Sequence, residues 1–163
     1  MNPLRNSLAV QFLFLFFFAF GQKQDLSHQR ISLYKALSSE DNKLISNQIT
    51  KTNETSFAEK EAYMGALLMK KASVISNLKD KLAFFRQGHT KLENAIASDE
   101  KNGEYRFLRL MIQENAPRIL GYKDNIVQDK EMIHLTFAHL PLEVQQAILD
   151  YCKKSKVLQG EHF

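Results

Sequence analysis

The chain has 163 residues, 44% of them hydrophobic, a formal charge of +4 and one cysteine, Cys152. A single cysteine forms no intrachain disulfide, so the small disulfide-stapled secreted scaffolds are excluded and stability has to come from packing. The charge excess is too small and too interspersed to point to nucleic acid; it reads as solvated helix faces.

The first 21 residues read as an export signal. Arg5 precedes an apolar run from Leu8 to Phe20 that only Gln11 interrupts, and Ala19-Phe20-Gly21 supplies a small-x-small cleavage pattern. At 13 residues the run falls short of the ~20 that a membrane-spanning helix needs, so no transmembrane segment is expected after cleavage between Gly21 and Gln22. A single domain of 142 residues with formal charge +3 would remain, large enough to bury roughly two thirds of its unfolded surface. The Phe-rich leader and the Gln that follows it resemble those of small bacterial exported proteins, which implies a periplasmic or secreted location. No cysteine stands at the cleavage site to carry a lipid. Asn53-Glu54-Thr55 matches the glycosylation sequon, relevant only in a eukaryotic secretory pathway.

Residues 22–163 hold two prolines and five glycines and lack period-two runs of β-branched and aromatic residues, which predicts an all-α domain. Leu26, Ile31, Leu33, Tyr34 and Leu37 mark a helix near 25–38, and Leu44, Ile45 and Ile49 a second near 39–52. Ser56 with Glu59 three residues on forms a capping-box start for a helix over 57–75 carrying Met64, Leu67, Leu68 and Ala72. Leu78, Leu82, Phe85, His89, Leu92 and Ile96 form the clearest stripe, on a helix over 77–98 whose other faces are charged. Asn102-Gly103 is a turn pair at ease with positive φ. Tyr105 to Ile112 is apolar nearly all round, which predicts the most buried helix, over 104–116, closed by Pro117. Asn125 and Gln128 offer a capping pair for a helix over 125–140, and Pro141 opens a last one over 141–158 with Val144, Ile148, Tyr151 and Leu158 on one face. Phe85 and Leu108 are both expected in the core. The architecture expected is about seven helices in one bundle or short antiparallel stack.

Residues 84–112 resemble the second helix, turn and following first helix of a tetratricopeptide repeat. Gly88, Leu92 and Ala95 fall at its small, large, small positions, and Ala95-Ile96-Ala97-Ser98-Asp99 followed by Asn102 resembles its turn entry. Glu100 stands where the repeat's turn proline is expected, Pro117 blocks a further regular unit, and no second copy recurs at a fixed period. The resemblance implies a protein-binding or scaffolding role and names no partner.

No nucleophile elbow, Gly-rich phosphate loop or zinc-binding histidine pair is present, so nothing in the sequence argues for an enzyme or a cofactor. His89 with Glu93, four apart, and Glu131 with His134, three apart, are the candidate metal ligands, but they are fragments of the carboxylate-bridged set that helical bundles use. His89 sits on the apolar stripe, where a hydrogen-bonded histidine is the simpler reading. Cys152, among Ile148, Leu149 and Tyr151, reads as a half-buried small hydrophobe. Lys153, Lys154 and Lys156 suit a helix C-terminus. Arg106 and Arg109, three apart on an apolar helix, need partners: internal carboxylates such as Glu114, Asp99 or Glu131, or a bound anion. Tyr122, after Pro117, either faces a partner or closes the core edge. The expected function is an exported helical module that binds another envelope or secreted protein without catalysis; the alternative is a small-ligand- or metal-binding bundle.

Overall fold

The computed structural model describes residues 26–160, so the export signal expected over residues 1–21 lies outside the described residues. Among the described residues there are seven α-helices and no strand. They are α1 (26–37), α2 (Asn42–Glu54), α3 (Lys60–Val74), α4 (Leu78–Ser98), α5 (Gly103–Asn115), α6 (Ile126–Thr136) and α7 (Leu142–Cys152). Short 3-10 turns at Arg118–Leu120 and Phe137–His139 flank α6. None of the described helices is long and apolar enough to cross a membrane.

The helix starts follow side-chain chemistry. Asp41 accepts from the amides of Lys43 and Leu44 to open α2, Asn77 from Asp80 to open α4, and Asn102 from Tyr105 to open α5. Two expected caps are absent. α3 begins at Lys60, three residues later than the capping box at Ser56 predicts, because the Glu59 carboxylate turns to Arg30, 3.1 Å away, rather than back to the helix amides. Asn125 likewise makes no side-chain cap bond to α6.

Three further expectations are corrected. Gly103 does not use its freedom at positive φ; it is needed for space, since a Cβ there would sit 1.9 Å from Thr136 Oγ1. The helix expected over 125–140 ends at Thr136 and passes into the tighter turn Phe137–His139, because Pro141 forbids its continuation. The last helix stops at Cys152 rather than near 158. Ser155 Oγ accepts from the amides of Val157 and Leu158 and donates to Glu114 at 2.7 Å, turning the chain so that Leu158 enters the core outside any helix.

α3 and α4 run antiparallel, with Glu61 opposite Lys91 and Gly65 opposite Gly88 and Leu92. The two glycines remove the side chains that would hold the helices apart: a Cβ on Gly65 would lie 2.8 Å from Gly88 O, and one on Gly88 2.6 Å from Gly65 O. α5 is the central helix, buried from Gly103 to Met111 and at Gln113. Phe107 on α5 packs against Tyr34 of α1 and Tyr151 of α7, with ring centroids 5.7 Å apart in both pairs. Leu108 is fully buried, whereas Phe85 is half-buried at the core's edge.

Candidate functional site

α5 has to dispose of three charges inside the domain, and it does so in two buried clusters. Arg109 donates to Asp129 through Nε (2.7 Å) and Nη2 (2.6 Å), and through Nη1 to Glu93 (2.7 Å). Arg106 donates to Asp129 at 3.2 Å and to the Glu100 carbonyl from Nε and Nη2 at 3.0 and 2.7 Å. Asp129 is fully buried, so this network is the bidentate, desolvated kind that fixes geometry and is costly to break. Burial depresses the Arg109 pKa, but Asp129 and Glu93 outweigh it and hold the guanidinium charged.

The carboxylates named from the sequence are not the partners. Glu114 accepts from Tyr151, Ser155 and the Lys156 amide, tying α7 and the chain end to α5. Asp99 accepts from Asn102, and Glu131 is exposed. Asp129 lies one helical turn before Ile133 and nearly one after Ile126, so it shares the apolar face of α6; that position was the signal that could have identified it.

The second cluster was not anticipated. Glu104, 3% exposed, accepts from Arg30 Nε at 3.1 Å, Tyr34 Oη at 3.2 Å and Tyr63 Oη at 2.6 Å, joining α1, α3 and α5. Burial raises its pKa above the ordinary glutamate range, although Arg30 and the Tyr63 hydroxyl pull the other way. Burial and the same carboxylate push the Tyr63 and Tyr34 hydroxyls far up, so both remain donors. Beside this cluster lies an open recess of about 260 Å³ where the N-terminal ends of α3, α5 and α7 meet, lined by Arg30, Glu59, Lys101, His139 and Pro141 among others. A second open cleft, about 320 Å³, lies between α2, α3 and α4, with Ile49, Met64 and Leu68 beneath a rim that includes Asn53, Lys60 and Lys91.

The candidate metal ligands separate. Glu93 is bonded to Arg109 and to the Tyr122 hydroxyl, and His89 packs edge-on against the Tyr122 ring at 4.8 Å. His134 is half-buried and Glu131 faces solvent on α6. Among the described residues no three His, Cys, Asp or Glu side chains gather where a metal ion would be held. Tyr122 is buried against α4, and burial together with Glu93 holds its hydroxyl well above the ordinary tyrosine range. Cys152 is half-buried, and burial pushes its thiol up, away from the reactive thiolate.

No family model, curated protein or solved structure matches this chain. Every charge on α5 is used within the domain, while large apolar side chains stand outside it. Ile119 is 93% exposed, Leu142 78%, Leu135 76% and Leu78 71%.

Proposed function

We propose that the chain is an exported helical module, periplasmic or secreted, that acts by binding another envelope or secreted protein without catalytic turnover. The observation that carries this reading is the α4 stripe. Its C-terminal half, Leu92 and Ile96, is buried, while Leu78 and Leu82 at its start remain 71% and 39% exposed. An apolar stripe that runs out of the core into solvent is a place where a partner gains by excluding water. The likeness of residues 84–112 to a repeat hairpin used for protein binding, and the export signal before residue 22, support the same reading. The rival small-ligand or metal-binding reading needs Arg106, Arg109, His89, Glu93, Glu131 and His134 to converge on one cavity, whereas Arg106 and Arg109 share Asp129 and Arg109 also holds Glu93.

The test places a photo-crosslinking residue at Leu82 in the full chain, expressed with its own leader in its native host, with a control at exposed Lys43. A discrete adduct with an envelope or secreted protein from Leu82, lost on Leu78→Lys, and a product beginning at Gln22 are the expected results. Equal or no labelling at the two positions would refute the binding face, and Met1 or residues of the Phe run on the product would refute cleavage and replace the released form with a membrane-anchored one.

A further inference from the structure

The segment between α5 and α6, from Pro117 to Asn125, crosses the domain as a strap with one buried side chain, Tyr122. The chain turns sharply beside it: Gly121 is in the left-handed region at φ 59, following the 3-10 turn. Tyr122 holds the strap in two ways. Its hydroxyl donates to Glu93 Oε1, and its ring lies edge-on between Phe85, 5.7 Å away, and His89, 4.8 Å away. The strap's other side-chain tie is long, Lys123 Nζ to the Glu114 carbonyl at 3.5 Å. Beneath Tyr122 lies the middle of the α4 stripe, continuous with exposed Leu82 and Leu78.

We propose that Tyr122 is a displaceable latch: the strap opens locally by withdrawing this one side chain, and the site it vacates on α4 accepts a phenol-type ring. Phe85 and His89 are its aromatic walls, and Glu93, still held by Arg109, is its hydrogen-bond acceptor. A ring so placed gains edge-to-face contacts and one hydrogen bond to a charged acceptor, the same interactions that hold Tyr122. Opening is local because α4 and α5 keep their mutual contacts through Glu93 and Arg109 and the strap contributes no other buried side chain.

The strap carries its own reporters, exposed Arg118 and half-buried Lys123, where trypsin cuts only a locally opened chain. Native-state proteolysis of the whole protein is expected to nick at Arg118 or Lys123 before any helix is cut. Tyr122→Phe, which keeps the ring and loses the bond to Glu93, should nick there about tenfold faster, the loss of one hydrogen bond to a charged group, with cleavage at Lys51 in α2 unchanged. In Tyr122→Ala, millimolar p-cresol should slow strap nicking saturably and raise the melting temperature, and toluene should do so less. First cuts within the helices, or a Tyr122→Phe strap no faster than wild type, would overturn the latch. A folded Tyr122→Ala protein indifferent to p-cresol would overturn the site. If Tyr122→Ala does not fold, p-cresol accelerating strap nicking in Tyr122→Phe tests the same exchange, and no acceleration overturns it.

Discussion

Arg109 and Asp129 meet side-on, with two nearly parallel bonds of 2.7 and 2.6 Å joining the centre of α5 to the first turn of α6. Both are almost fully buried, so neither charge has water to fall back on. Asp129→Asn is expected to cost about 3–5 kcal/mol, because it leaves two buried guanidinium groups sharing one neutral amide, and Arg109→Gln a similar amount, because fully buried Asp129 keeps only the single 3.2 Å bond from Arg106 and Glu93 loses its arginine. Denaturant midpoints measure both. A variant as stable as wild type that had also lost thermal protection by phosphate or citrate would instead make Arg106 and Arg109 an anion site.

The pairing of those arginines was legible in the sequence as a need, because two charges on an apolar helix must find partners. The partner was not. Asp129 reads as one of several surface acids unless its register with Ile126 and Ile133 is followed, and Glu104 hides in the same way ahead of Leu108 and Met111. The all-α class and the order of the helices follow from periodicity, which is local. Helix ends decided by distant groups do not: Glu59 is drawn off by Arg30, and Ser155 by Glu114. The α4 stripe shows the same boundary. Its spacing marks the apolar face, but how much of that face the other elements cover is a property of the packed fold, and Leu78 and Leu82 stay exposed.

Gly65 and Gly88 should resist even a methyl group. Alanine is the better helix former by about 1 kcal/mol, so an exposed glycine replaced by alanine would stabilise. Here the added Cβ would meet backbone atoms, Leu92 N at 2.7 Å from Gly65 and Gly65 O at 2.6 Å from Gly88, which cannot rotate away. Gly65→Ala and Gly88→Ala are each expected to lose about 1–3 kcal/mol net as α3 and α4 are forced apart. Urea melts decide it, and a gain in stability at either position would mean that the helix pair is looser than its geometry implies.

Gln113 is the one side chain among the described residues that is fully buried with both amide atoms unbonded. An unsatisfied buried amide forgoes the hydrogen bonds that water supplies in the unfolded chain, at a cost of roughly 1–3 kcal/mol. Gln113→Leu and Gln113→Met, of similar volume, should therefore raise the unfolding free energy, by about 1 kcal/mol or more. A loss of stability in both would show that the amide has a partner in solution, and hydrogen exchange of its side chain would then identify a protected proton.

Glu104 gives the domain a pH dependence whose sign can be fixed in advance. Burial, the largest influence, raises its pKa on folding despite Arg30. The folded state therefore binds a proton that the unfolded state has already released over the interval just above the ordinary glutamate range. Across that interval stability falls as pH rises: the contribution is complete below the unfolded pKa and gone above the folded one. Glu104→Gln removes this titration while keeping an acceptor for Tyr63 and Tyr34. The wild-type unfolding free energy, measured by urea titration from about pH 4.5 to pH 8 and compared with Glu104→Gln, should drop relative to the variant as pH rises. The opposite slope, with wild type gaining on Glu104→Gln toward neutral pH, would mean that the attraction of Arg30 outweighs burial and that the carboxylate is held in its charged form.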